Sequence, residues 1–226
     1  MTQAILLIGS PRGKSSTSFA LGKYLTDKLA EAGWQISTEL IYASRKNEHG
    51  LAELALGCDN ADLLILAFPL YADHLPGPVI ETILALGDHR RQQSAKLQKL
   101  MCIVNCGFPE AHQNDPAVSI MENFAVSNGY TWLGGLTLGM GGAVSGRDLT
   151  ELGSRTHNVV KALDLAANDI ISGNQISVAA LATMRKPIIP RWLYLMIADS
   201  SWKKYSKLSK KELCARPNLE NVELTS

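Results

Sequence analysis

The stretch Ala4-Ile5-Leu6-Leu7-Ile8-Gly9-Ser10-Pro11-Arg12-Gly13-Lys14-Ser15-Ser16-Thr17-Ser18 decides how this chain is read. Its five uninterrupted apolar residues suit a parallel strand buried on both faces. Hydroxyls, glycines and two cations follow. Leu21, Leu25 and Leu29 then recur at four-residue spacing, with Gly33 placed to close a helix. This order gathers backbone N–H groups, side-chain donors and the positive end of a helix dipole in one place, which makes an anion site. Capping the helix requires one hydroxyl, and this loop offers four, from Ser15 to Ser18.

Outward from that loop, apolar runs recur at 63–68 and 100–104 and read as further buried strands. At 34–40 the pattern alternates, Trp34, Ile36, Thr38 and Leu40 against Gln35, Ser37 and Glu39, as an edge strand would. Residues 130–138 mix apolar side chains with Thr and Gly and suit the opposite edge. Helical patterns at 51–56, 78–86, 117–127 and 148–171 fill the intervals. Strand alternating with helix predicts a doubly wound five-stranded parallel sheet, and an edge-like second strand selects the order 2-1-3-4-5. After Ser177 the composition shifts. Pro187 and Pro190 precede Arg191-Trp192-Leu193-Tyr194, and 185–216 hold nine basic residues against two acidic ones. The expected division is a domain at 1–177 and a basic, aromatic, helical extension at 178–226.

Ligands of such sheets bind beyond the carboxyl ends of the strands where the winding reverses, here between the first and third. Gly13-Lys14-Ser15 matches the end of a nucleotide-triphosphate loop, but that motif needs four residues between its glycines and Gly9 and Gly13 enclose three. Nor does the third strand end in a magnesium-holding acid; Phe68-Pro69 stands there. Pro69, Leu70 and Tyr71 open an aromatic and apolar loop that suits a flat ring system. Phosphate beside flat ring points to FMN.

The Gly-Ser-Pro-Arg-x(2)-Ser opening and the Phe-Pro-Leu-Tyr-x-Asp-x-Leu-Pro segment resemble the flavodoxin-like NAD(P)H-dependent oxidoreductases, the NADPH-dependent FMN reductase family, over about residues 3–175. The resemblance implies a flavodoxin-like fold in which Ser10, Arg12, Ser15, Ser16 and Thr17 hold the FMN phosphate and Pro69, Leu70 and Tyr71 line the isoalloxazine. It also implies a second ring loop at Asn105, Cys106, Gly107 and Phe108, with NADH or NADPH as co-substrate. Gly139-Met140-Gly141-Gly142 leaves room for a nicotinamide or acceptor. The chain departs from many relatives by carrying Glu81 where they place a basic residue.

The implied activity is electron transfer from a nicotinamide through FMN to a small acceptor such as a quinone or flavin. The cofactor carries that chemistry and no catalytic side chain is required. A net charge of +1 supplies no field that would recruit nucleic acid. Flavodoxin-type carriers tend to be strongly acidic, so the near-neutral charge favours an enzyme over a non-enzymatic electron carrier. A third reading has the tail dock on a membrane or protein through Trp192, Tyr194, Trp202 and Tyr205, among Lys203, Lys204 and Lys207. The apolar run there falls far short of the ~20 residues that span a bilayer, so no transmembrane segment is expected. Packing across the domain or a partner in a homodimer suits the tail better. Met1-Thr2-Gln3-Ala4 shows no basic n-region, so a cytoplasmic location is expected. Cys58, Cys102, Cys106 and Cys214 are too few and scattered for a disulfide framework or a metal site, and His74 reads as a surface histidine.

Overall fold

A computed structural model describes residues 1–45, 49–92 and 96–206. The chain alternates β1 (Gln3–Ile8), α1 (Thr17–Glu31), β2 (Gln35–Leu40), α2 (Ile41–Ser44), α3 (Gly50–Cys58), β3 (Leu63–Pro69), α4 (Gly77–Arg91) and β4 (Lys99–Asn105). It continues with α5 (Asp115–Ser127), β5 (Thr131–Leu138), α6 (His157–Ile171), α7 (Val178–Met184) and α8 (Arg191–Ser206). Every strand pairing is parallel and the order is β2-β1-β3-β4-β5, as expected.

The continuous apolar runs are explained by two cores. Along β1, Leu6 and Ile8 face one side with Leu63, Ile65 and Ala67, where α1, α6 and α7 cover them. Ile5 and Leu7 face the other with Leu64 and Leu66, under α3, α4 and α5. Each fully buried aliphatic side chain contributes about 1.5–3 kcal/mol, so a strand buried on both faces stabilises the sheet twice over. β2 stays at the edge, its residues largely exposed.

Three features depart from the sequence expectations. The helix foreseen at 148–171 begins only at His157, because Gly153 takes a left-handed φ of 60° and opens a short 3-10 turn, Gly153–Thr156. The four-residue α2, directly after β2, has no counterpart among the helices foreseen. β5 shifts register opposite Leu100 and Met101, where Gly134 adopts a φ of 128°. That irregularity explains the glycines that blurred its strand pattern.

By its contacts the chain divides after Ile188. Ser177, the expected boundary, caps α7, its hydroxyl accepting from the Ala180 amide. Ala180 and Met184 are wholly buried in the first core. The second unit contains α8, whose Leu193 and Tyr194 amides donate to the Pro190 carbonyl. Lys207 and Cys214 lie outside the described residues, as do the side chains of Trp202, Lys203, Lys204 and Tyr205.

Burial raises the Cys58 thiol from 9.0 to about 12 and the Tyr130 phenol from 10.0 to about 12. Both groups are neutral in the fold, so the unfolded chain loses these protons first as pH rises. Their contribution is complete below pH ~9 and disappears on the way to pH ~12, at about 1.4 kcal/mol for each tenfold difference in proton affinity between the folded and unfolded chain. Alkaline titration followed by circular dichroism should show stability falling across that window. Cys58→Ala should flatten the fall, and an unchanged profile would refute the assignment.

Candidate functional site

The expected residues gather at the carboxyl ends of β1, β3 and β4. Ser10 is buried beyond β1, and its hydroxyl accepts weakly from the Arg12 amide at 3.4 Å. Arg12, Lys14 and Ser15 are exposed, and none has a hydrogen-bonding or ionic partner among the described residues through its side chain. Gly13–Ser15 form a 3-10 turn leading into α1. Ser16 is the N-cap: its hydroxyl donates to the Gly13 carbonyl at 2.6 Å and accepts from the Phe19 amide at 3.1 Å. Its own amide also donates to Gly13, so Ser16 has no donor left. The buried Thr17 hydroxyl donates to the Gly141 carbonyl at 2.9 Å. The Thr17 and Ser18 amides, in the first turn of α1, have no acceptor among the described residues. A helix start with free amides needs an outside acceptor, and an anion at the positive dipole end answers both needs.

Pro69 closes β3, and Leu70 is half-buried against the second core. Tyr71 to His74 form a two-residue hairpin, the Tyr71 and His74 amides each donating to the other's carbonyl at 2.9 Å. Its tip, Ala72 and Asp73, adopts φ values of 46° and 60°. His74 is exposed, as expected. Tyr71 is 46% exposed and Phe108 52%, each in a loop at the same carboxyl edge of the sheet as the hydroxyl loop. Asn105 is buried, donating to the Ser18 hydroxyl at 2.8 Å and the Phe68 carbonyl at 3.2 Å. Cys106 is also buried, which holds its thiol above the ordinary range. The amide of Asn114 points at its sulfur at 3.4 Å. Around Gly107 a side chain would meet nothing within 4 Å.

Backbone bonds join these loops into one body. Leu70 donates to Asn105 O, Cys106 to Leu138 O, Met140 to Phe108 O and Gly141 to Cys106 O, at 2.7–3.0 Å. The four described non-glycine residues with left-handed backbone are Ala72, Asp73, Met140 and Ser145, all in loops after β3 or β5. Each such conformation costs about 1–3 kcal/mol and persists where surroundings over-determine it, a pattern of functional loops. Glu81 is met by a basic residue from elsewhere in the chain: Arg45, at the end of α2, grips it bidentately at 2.7 and 3.0 Å. Ser18, counted among the loop's hydroxyls but not among the site residues, receives Asn105, and Gly146, which the sequence reading passed over, lies against the Ser15 peptide. The hydroxyl run and the Ser145-Gly146 turn pair were their only local signals.

Sheet order and loop placement define a flavodoxin-like α/β protein. No family model matches the chain, and no curated protein does. Among solved structures it is similar to an NADH:FMN oxidoreductase in apo form, with a TM-score of 0.55 and 17% identity over 85% of this chain and 98% of that one. An NAD(P)H:quinone oxidoreductase from Methanothermobacter marburgensis gives 0.54 and 15%, over 74% and 95%. A short-chain flavodoxin associated with a PDU bacterial microcompartment gives 0.50 and 10%, over 76% and 99%. The chain spans 38% of the length of a longer match, rubredoxin oxygen:oxidoreductase from Desulfovibrio gigas, with a TM-score of 0.52 and 12% identity over 82% of this chain. At these identities the likeness is one of fold.

Proposed function

We propose that this chain is an FMN-dependent NAD(P)H oxidoreductase that passes electrons to a small acceptor such as a quinone or a flavin. One observation carries the reading. At the switch point between β1 and β3, a loop carrying Arg12 and Lys14 leads into a helix with two unpaired amides, and the loops after β3 and β4, at the same edge of the sheet, carry the exposed Tyr71 and Phe108. Two of the similar structures, named as an NADH:FMN and an NAD(P)H:quinone oxidoreductase, support it.

The donor set fits the cofactor. Arg12, the Ser15 hydroxyl and the Thr17 and Ser18 amides would meet the phosphate, with Ser10 lining the turn and Ser16 fixing it as cap. Pro69, Leu70 and Tyr71, with Asn105, Cys106, Gly107 and Phe108 from the neighbouring loop, would line the ring. Bound there, FMN would supply two-electron uptake from a nicotinamide and release to the acceptor. The protein's part is to hold the ring between apolar walls, exclude water and fix the orientation through the hydrogen-bonded loop body. The reading takes in a cytoplasmic location, and no helix among the described residues is long and apolar enough to cross a membrane. It also takes in a homodimer, for which Trp192 and Tyr194 would serve as aromatic anchors.

The purified protein should be yellow, or become so on adding FMN. Arg12→Ala should weaken FMN binding roughly tenfold or more and Ser15→Ala about fivefold, since charged hydrogen bonds contribute about 1.5–3 kcal/mol and neutral ones about 1. Riboflavin, which lacks the phosphate, should respond to neither. Equal losses for both ligands would mean that the loop supports the fold instead. Flavin binding without steady-state NAD(P)H oxidation would identify a carrier rather than an enzyme.

A further inference from the structure

The short helix α2 is pinned at both ends to elements of the site. At its far end Arg45 grips Glu81, near the start of α4, at 2.7 and 3.0 Å. At its near end Leu40, the last residue of β2, lies against the phosphate loop, since a Cβ on Gly13 would stand 3.6 Å from its Cδ1. Ile41, which follows, is wholly buried in the second core. Leu40 pairs with Ile8 and Ile8 with Ala67, so β2 ends level with β1 and β3 at the carboxyl edge of the sheet.

Tyr42 is the side chain that this arrangement brings to the Tyr71 hairpin. It is half-buried and within electrostatic reach of the Tyr71 phenol. Its hydroxyl has no hydrogen-bond partner among the described residues. Burial first, and then the neighbouring Tyr71, hold the Tyr42 phenol above its ordinary range, against the pull of Arg45. At neutral pH it is therefore a protonated group with a donor to offer a ligand.

We propose that Tyr42 is a specificity-determining residue for the electron acceptor: its ring continues the Tyr71 wall as a platform for a flat quinone, and its hydroxyl donates to a quinone carbonyl. The inference rests on the FMN reading above, in which Tyr71 lines the flavin ring and Tyr42 extends that wall on the β2 side. A quinone offers flat area to both rings and an oxygen that gains negative charge on reduction, which a fixed donor stabilises. Overall, the nicotinamide is oxidised by loss of a hydride, and the quinone is reduced to a hydroquinone by two electrons and two protons, one of them from solvent. Tyr42 keeps its own proton throughout. Arg45 and Glu81 are positioning residues, acting through α2.

Calorimetric titration of the oxidised, FMN-loaded protein with 1,4-naphthoquinone, in the absence of nicotinamide, tests this. Tyr42→Phe should weaken the quinone about fivefold, the share of one neutral hydrogen bond, and Tyr42→Leu about tenfold or more. In steady state the Michaelis constant for the quinone should rise in both variants while that for the nicotinamide holds. Arg45→Glu should also weaken the quinone by releasing α2, and Arg45→Glu combined with Glu81→Arg should restore it. Wild-type quinone affinity in both Tyr42 variants would overturn the inference, as would loss of FMN affinity in Tyr42→Phe, which would assign the hydroxyl to the flavin. Flavin titration of the same preparations separates the two readings. FMN binding with a quinone affinity indifferent to Tyr42 sinks this inference alone. A quinone affinity that depends on Tyr42 in a protein that binds no FMN sinks the proposed function and leaves the quinone platform standing.

Discussion

A chain ending at Ser177 should fail to hold its fold, and one ending at Ile188 should keep it. Both lose α8, so the difference isolates α7. Ala180 and Met184 are wholly buried on α7, and Leu181 packs against the same core. Removing one buried Met side chain costs about 2–5 kcal/mol, and the shorter chain also uncovers β5 and α6. Losses of that size consume much of the roughly 5–15 kcal/mol that stabilises a domain. Thermal unfolding of the two truncations by circular dichroism checks the expectation. If both melt together, α7 is an accessory of the core and the boundary belongs at Ser177.

The second large effect is expected at Gly146. Its φ of 74° is left-handed, and the space beside it is filled by the Ser15 carbonyl. Valine there would meet backbone strain of about 1–3 kcal/mol and, in addition, a contact that only a shift of the phosphate loop can relieve. Affinity for FMN should fall about a hundredfold, the equivalent of about 3 kcal/mol. Gly153→Ala is the control, since Gly153 has a φ of 60° and nothing within 4 Å of the added carbon. It should lower stability slightly and leave flavin binding alone. Equal effects from the two substitutions would show that φ, and not the close approach of the loops, governs the site.

What was legible in the sequence followed from local pattern. The apolar runs of β1, β3 and β4 announce burial on both faces, and the alternation at 34–40 announces an edge, so the sheet order could be read before any contact was known. The hydroxyl loop was legible as a run of donors before a helix, but not the division of labour within it. Ser16 and Thr17 look like two more donors, yet one hydroxyl closes the turn and the other holds a distant loop. No periodicity reveals a partner 124 positions away. Arg45 on Glu81 escaped for the same reason: the two residues meet only once α2 and α4 pack. At 148–171 the apolar period ran on past Gly153, whose left-handed backbone is visible only in the folded chain.

The hydrogen bond from Thr17 to Gly141 also sets a schedule. The anion loop is made near the amino terminus, but its final shape depends on a strand and a turn synthesised more than a hundred residues later. Contacts of such long sequence separation form late, because the loop-closure entropy must be met first. A chain emerging from the ribosome therefore has the residues of this loop long before it has the turn that fixes them. On the proposed reading, flavin present during synthesis would be captured at the end, when β5 docks, and would lock a sheet already assembled rather than nucleate it.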